Sequence, residues 1–118
     1  MNCNIIATSF FKRELKRLSK HYKSMQQDFA NLLESLKENP EQGADLGKGL
    51  HKVRMAISSK GKGKSGGARV ITLTALISKT DADIILLTIY EKACQKVVNT
   101  IFWHAFSYMR LLLRNTEP

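Results

Sequence analysis

The hydrophobic positions in the first third of the chain change from a mixed pattern to a helical one. β-branched and aromatic side chains between Ile5 and Phe11 predict a first strand, although this short pattern is also compatible with the start of a helix. From Lys12 onwards apolar residues return every three or four positions, which predicts helices with Lys and Arg on their outer side. A break within 19–24 and a stop at Asn39-Pro40 divide this stretch into two helices.

The middle of the chain carries patterns typical of strands. Residues 41–49 contain three glycines and predict a loop. Leu50 to Ile57 alternates apolar and polar residues, and 68–77 and 84–90 are β-rich runs separated by a polar turn at 78–83. The predicted order is one strand, two helices and three strands in an antiparallel meander.

Residues 97–113 keep a helical period but are unusually apolar for a helix on a small sheet. The stripe consists of Val98, Ile101, Phe102, Ala105, Met109 and Leu112. Two interpretations stay open for this C-terminal helix. It caps the core, or it meets another chain, either a second copy in a homodimer or a different partner.

Length and composition limit the class of protein. A chain of 118 residues that is 43% hydrophobic suits a single domain, 1–118, with a modest core. Cys3 and Cys94 lie far apart without a CxxC motif, which favours free thiols in a cytoplasmic protein. No apolar run reaches the roughly 18 residues of a membrane span, so no membrane partner is expected.

The net charge of +9 is concentrated in one segment. Between residues 48 and 69 there are seven Lys and Arg, one His and no carboxylate. These are Lys48, His51, Lys52, Arg54, Lys60, Lys62, Lys64 and Arg69. Such a cationic segment, with glycines that let backbone approach a ligand closely, predicts binding of polyphosphate, above all nucleic acid. Because the segment joins two strands, Lys52, Arg54 and Arg69 are expected to converge on one face of the sheet.

Two familiar kinds of site do not fit the sequence. Gly63-Lys64-Ser65 is similar to the end of a nucleotide-binding P-loop, but Ser58 stands where the motif requires its first glycine. The three histidines are scattered and lack other ligands at metal-binding spacing, so no metal site is predicted. The lysine-glycine run taken alone is also compatible with a solvated hairpin tip that binds nothing.

Three segments together resemble the RelE/ParE superfamily of toxins, in particular its RelE/HigB-like branch. They are Lys52-Val53-Arg54, the run KGKGKSGGARVI at 60–71 and the run LLTIYEK at 86–92. Lys37-Glu38-Asn39-Pro40 with Gly43 also resembles the end of the family's second helix. The resemblance covers about residues 5–96.

This resemblance implies an α+β fold in which two N-terminal helices pack on a small twisted antiparallel sheet. It implies the toxin of a type II toxin-antitoxin system, an mRNA interferase that cleaves mRNA in the ribosomal A site and so inhibits translation. A ribose 2'-hydroxyl attacks the adjacent phosphate, without a metal or another cofactor. The implied partners are an acidic antitoxin protein, the ribosome and its mRNA, all in the cytoplasm.

The resemblance also assigns roles to single residues. Lys52 and Arg54 match a basic catalytic pair, Arg69 a phosphate-stabilising arginine and Lys92 a basic residue after the last strand. Lys62 and Lys64, with Lys60, match loop lysines that hold the RNA backbone, and Lys48 and His51 extend this basic surface. Cations stabilise charge on the phosphate, and a lysine whose pKa is lowered by neighbouring cations can transfer a proton.

Two departures from the family pattern keep alternatives open. The final helix of the family often carries a functional tyrosine, whereas the stretch around Val97 and Val98 has none, and Tyr90 is the candidate to replace it. The apolar character of 97–113 is also atypical. A ParE-like poison of DNA gyrase and a catalytically inactive RNA-binding relic are therefore the alternatives to an endoribonuclease.

Overall fold

A computed structural model describes residues 2–61, 63 and 66–91, which form an α+β fold. The elements are β1 (Asn2–Ala7), α1 (Ser9–His21), α2 (Met25–Glu38), β2 (Ala44–Gly47), β3 (Leu50–Met55), a short 3-10 turn (Ser58–Lys60), β4 (Ala68–Leu76) and β5 (Asp81–Glu91). The strands form one five-stranded sheet in the order β1-β5-β4-β3-β2. The predicted C-terminal helix at 97–113 lies outside the described residues.

The sheet is mixed, so the expectation of an antiparallel sheet is wrong in one respect. The meander β3-β4-β5 is antiparallel and confirmed, but β1 pairs with β5 in parallel, with Ile5 opposite Ile84. The sequence gives no local signal for this pairing, because the two strands lie almost 80 residues apart and no turn connects them directly.

The first strand ends earlier than predicted, and the two phenylalanines at 10 and 11 belong to α1 instead. Thr8 is the reason, because its Oγ1 accepts a hydrogen bond from the Phe11 amide at 3.1 Å and so caps the helix. The same hydroxyl donates to the Leu86 carbonyl oxygen at 3.0 Å. One side chain therefore ends β1, starts α1 and ties both to β5.

The break and the stop of the predicted helix pair are confirmed. α1 ends at His21 and α2 begins at Met25, with a turn between them. α2 ends at Glu38, immediately before Asn39 and Pro40.

The loop predicted for residues 41–49 contains β2, a four-residue edge strand. It was not predicted because it is short, mostly exposed and irregular between Asp45 and Gly47. Gly49 adopts φ +84° in the hairpin that follows, where an added Cβ would also press on the Thr74 carbonyl oxygen at 2.7 Å.

Each face of the sheet carries its own apolar cluster. Phe11, Leu18, Met25 and Leu36 of the helices are fully buried against one face, which includes Val70 and Ile84. The other face, which we call the distal face, carries a smaller cluster of Leu50, Ile71, Leu87 and Tyr90. Among the described residues no helix has the length and apolarity to cross a membrane.

Candidate nucleic-acid interface

Strand register brings four of the five predicted catalytic residues together at one end of the distal face. Arg54 of β3 lies directly opposite Arg69 of β4, and Arg69 lies directly opposite Tyr90 of β5. Lys52 lies two residues before Arg54 and therefore projects from the same face. The cross-strand row Arg54-Arg69-Tyr90, with Lys52 beside it, is the candidate site.

A β-bulge sets this alignment. The register between β4 and β5 shifts between Ile71 and Thr72, so that Leu87 is the extra residue of β5. Without the shift, the side chains of β5 beyond Leu87 would change faces. The bulge therefore places Tyr90 on the distal face beside Arg69, while Ile84 and Leu86 still face the helices.

The residues of the site differ in exposure. Arg54 is exposed and Lys52 is half-buried, whereas Arg69 and Tyr90 are each only 6% exposed. One nitrogen of the Arg69 guanidinium donates to the Ala68 carbonyl oxygen at 3.2 Å. Burial raises the pKa of the Tyr90 phenol, and the positive charge of Arg69 opposes this shift in part. The phenol, like an ordinary tyrosine, is protonated at neutral pH, and burial makes it a weaker acid.

Arg54 and Arg69 place two like charges in direct cross-strand positions. Directly opposite residues have Cβ atoms roughly 5 Å apart, and like charges in such positions repel each other. An anion with several acceptor oxygens would reverse the sign of this interaction, since it could accept hydrogen bonds from both guanidinium groups. The pair is thus suited to a phosphate group.

A buried carboxylate fixes the start of the glycine-lysine loop. Asp28 of α2 accepts hydrogen bonds from Ser58 Oγ at 2.6 Å, from Ser24 Oγ at 2.7 Å and from the Ser58 amide at 2.9 Å. Burial alone would raise the pKa of Asp28, but these hydrogen bonds outweigh it and leave the pKa below its ordinary value. Ser24 Oγ also accepts from the Ser59 amide at 2.9 Å.

A second carboxylate holds Lys60, the first lysine of the loop. Lys60 Nζ lies 3.0 Å from Glu91 Oε2 and 5.4 Å from the centre of the Tyr22 ring. The Tyr22 hydroxyl donates to the same Glu91 oxygen at 2.7 Å. The hydrogen bond with Glu91 raises the pKa of Lys60, which is opposite to the expected lowering in a crowd of lysines. We call this group the Lys60 clasp.

The loop rejoins the sheet at a position that only glycine can occupy. A Cβ added to Gly67 would collide with the Met55 carbonyl oxygen and press on Ala56 and Ile57. The chain therefore passes close against the end of β3, and this contact brings Ala68 and Arg69 into register with Met55 and Arg54.

The structure separates the other predicted residues from the site. His51 is buried on the face covered by the helices, and its Nδ1 has no hydrogen-bond partner among the described residues. Lys48 lies in the β2-β3 hairpin, at the opposite end of β3 from Arg54. Lys60 is held on the helix side by Glu91. Lys62, Lys64 and Lys92 lie outside the described residues.

Sequence reasoning missed both carboxylates that anchor the loop. Asp28 is the single acidic residue in the first turn of α2. The helix dipole favours a carboxylate at this position in any helix, so the sequence did not indicate that Asp28 also binds the loop. Glu91 stands beside Tyr90 in the run that resembles the toxin family, but its partner Tyr22 lies 69 residues away in the sequence, so no local pattern connects them. Arg54 also borders an open cleft of about 240 Å³ between α2 and the end of β3, which no sequence pattern indicated.

Comparison with known proteins adds no assignment, because no family model and no curated protein matches the chain.

Proposed function

We propose that this protein is a ribosome-dependent mRNA endoribonuclease, the toxin of a type II toxin-antitoxin system. The observation that supports this most is the direct cross-strand pair of Arg54 and Arg69 with Tyr90 beside it. Two arginines in such positions can both donate hydrogen bonds to the oxygens of one phosphate. The sequence resemblance to RelE/HigB-like toxins supplies the reaction.

The chemistry needs no group beyond RNA and side chains. The 2'-hydroxyl oxygen bonds to the adjacent phosphorus as it loses its proton, and the bond from phosphorus to the 5'-oxygen breaks. The leaving oxygen takes a proton, which gives a 2',3'-cyclic phosphate and a 5'-hydroxyl end. Arg54 and Arg69 would stabilise the added negative charge on the phosphate oxygens.

Tyr90 is the candidate to donate a proton in this reaction, and the burial that raises its pKa makes it a weaker acid than an exposed tyrosine. A phenol that stays protonated at neutral pH can donate its proton to the leaving 5'-oxygen. Lys52, beside Arg54, is the candidate to receive the proton of the 2'-hydroxyl or to hold the neighbouring phosphate. Lys62, Lys64 and Lys92 remain predicted contributors to RNA binding and catalysis.

The burial of Arg69 and Tyr90 favours a second candidate, an inactive relic that binds RNA without cutting it. Both side chains are only 6% exposed, so an RNA phosphate reaches Arg54 directly but reaches Arg69 only after other groups move aside. An enzyme of this type would require such a movement on the ribosome, whereas a relic would bind through Arg54 and Lys52 alone.

Induced expression followed by mapping of mRNA 5' ends tests the proposal. An endoribonuclease predicts growth arrest and new 5'-hydroxyl ends within coding regions, positioned in register with the ribosomal A site. Co-expression of an acidic partner encoded beside the gene should suppress both effects. Ribosome binding without new ends would identify the relic, and arrest through inhibited DNA supercoiling with intact mRNA would identify a gyrase poison.

A further inference from the structure

α1 forms a second basic surface that lies apart from the candidate site. Residues 12–23 contain six Lys and Arg and one carboxylate, Glu14. The basic residues are Lys12, Arg13, Lys16, Arg17, Lys20 and Lys23, and every one of them is exposed. α2 differs sharply, since it contains three carboxylates and one lysine. The positive charge of the helix layer is therefore specific to α1 and the turn after it.

The lysines of α1 form a regular row. Lys12, Lys16 and Lys20 follow each other at intervals of four residues, so they lie on one side of the helix about 6 Å apart. Lys23 continues the row beyond the helix, where Lys20, Tyr22, Lys23 and Ser59 line a shallow hollow of about 410 Å³. Glu14 does not neutralise the row, because it pairs with Arg17 at 2.9 Å.

The arrangement of the fold separates this row from the arginine pair. α1 packs on one face of the sheet through Phe11 and Leu18, and Arg54 and Arg69 project from the distal face. The two surfaces lie on opposite faces of the sheet and come nearest to each other at the Lys60 clasp. A straight stretch of phosphate backbone on the arginine pair does not also run along Lys12 and Lys16, so the α1 row suits a second stretch.

We propose that the row Lys12, Lys16, Lys20 and Lys23 binds the phosphate backbone of structured RNA while the distal face engages a second RNA segment. This inference rests on the proposed function for the identity of that RNA, which is then ribosomal RNA. The row acts through charge alone and positions the protein, and it takes no part in cleavage.

An anionic membrane surface would also attract lysines, but α1 does not suit it. Helices that lie in a membrane interface bury their apolar face among the lipids. Phe11 and Leu18 on the apolar face of α1 are fully buried in the protein core, so that face is already occupied. Phosphate backbone requires only the exposed cations.

Salt-dependent binding of the full chain to purified ribosomes tests this inference. The test variant is Lys16→Gln with Lys20→Gln, and the matched control is Lys37→Gln with Lys79→Gln, which removes the same charge from exposed positions elsewhere. The test variant should lower the slope of log affinity against log salt by roughly 1.5 to 2, since each released contact contributes close to one. When the salt is raised from 50 to 200 mM, the wild type should therefore lose affinity by a factor about ten times larger than the factor for the test variant.

The outcomes separate this inference from the proposed function. Cleavage at saturating protein should match the wild type in the α1 variant, while Arg54→Ala loses cleavage and keeps most of the binding. A wild type that binds ribosomes but never cleaves would refute the proposed function and leave the α1 surface standing. Equal salt slopes for test and control variants would overturn the α1 surface, as would binding to anionic phosphatidylglycerol vesicles without binding to ribosomes.

Discussion

At the scale of single residues, the arginine pair on the distal face connects phosphate binding with the stability of the sheet. Arg54 is exposed and carries the same charge as its cross-strand neighbour Arg69, an arrangement that suits contact with a phosphate better than support of the sheet. Residues of this kind commonly favour function at the expense of stability. The two properties should therefore change in opposite directions when Arg54 is replaced.

We expect Arg54→Ala to leave the melting temperature unchanged or to raise it, and to lower single-turnover cleavage on ribosomes about 10²-fold or more. Lys79→Ala, which removes an exposed positive charge in the β4-β5 turn, is the control and should change neither property. Calorimetry and cleavage kinetics provide the two readouts. A clearly destabilised Arg54→Ala protein with full activity would show that this arginine supports the sheet.

Asp28 gives a prediction about pH. Its pKa is lower in the folded protein than in the unfolded chain, so its contribution to stability is complete above the unfolded value of about 4 and disappears as pH falls through the folded value. Over that acidic range the unfolded chain binds more protons, and the free energy of unfolding should fall with falling pH. Glu91, whose pKa is also lowered in the folded protein, acts in the same direction.

Asp28→Asn should cost about 1 to 3 kcal/mol at neutral pH, because the amide cannot accept all three hydrogen bonds that the carboxylate accepts. It should also flatten the fall in stability between pH 5 and roughly pH 2. Asp83→Asn removes the same charge from a carboxylate that accepts no hydrogen bond among the described residues, and it should keep the wild-type slope. Denaturant titrations across this pH range provide the measurement, and equal slopes for both variants would refute the role of Asp28.

Part of the site could be predicted at this scale from the sequence. Alternation along β3 places Lys52 and Arg54 on one face of the sheet. Because the next strand runs antiparallel to β3, Arg69 at its start is expected to lie beside Arg54 on that face. The burial of Arg69 and Tyr90 could not be predicted, because it depends on packing over the distal face. The ion pair of Lys60 could not be predicted either, since Glu91 lies 31 residues away in the sequence.

At the scale of elements, the Lys60 clasp joins the end of α1, the start of the loop and the end of β5. Lys60 contacts both Tyr22 and Glu91, and Glu91 lies opposite Ala68, where the loop returns to the sheet. The clasp thus holds together the two chain segments that flank the loop. Lys60 then has a structural role, whereas the sequence predicts a direct contact with RNA.

The variant Glu91→Gln distinguishes these two roles by the sign of its effect. If Lys60 anchors the loop, the loss of the carboxylate loosens the 3-10 turn, so the amides of Lys60 and Gly61 exchange hydrogen faster and RNA binding weakens. If Lys60 contacts RNA, removing a nearby negative charge should strengthen RNA binding. Glu38→Gln, which removes an exposed carboxylate at the end of α2, is the control for net charge. Stronger RNA binding with unchanged exchange would contradict the anchoring role.

The elements themselves were predictable where the signal is local. The helix pair follows from the apolar period and the Asn39-Pro40 stop, and the meander follows from three consecutive β-rich runs, the last two of which are joined by a short polar turn. β1 pairs with β5, which lies almost 80 residues later in the sequence. β2 is held at the edge of the sheet by its hairpin pairing with β3 rather than by an apolar pattern of its own. Both features depend on tertiary contacts, which a local pattern does not encode.

At the scale of the whole molecule, positive charge is divided between two faces of one sheet. The distal face carries Lys52, Arg54 and Arg69, and the helix side carries the lysine row of α1. A net charge of +9 on 118 residues favours fast association with RNA and makes binding steeply dependent on salt. Under the proposed function, such a distribution would suit entry into a ribosomal site surrounded by RNA and would complement an acidic antitoxin.

The most direct test of the central claim uses ribosomes programmed with an mRNA that carries one 2'-deoxynucleotide at the cleaved position. Attack by the 2'-hydroxyl predicts that the all-ribose mRNA is cut to a cyclic phosphate or 3'-phosphate and a 5'-hydroxyl, and that the substituted mRNA stays intact. Binding of both mRNA-ribosome complexes should be the same. Cleavage of the substituted mRNA, or ends with a 5'-phosphate, would contradict the account.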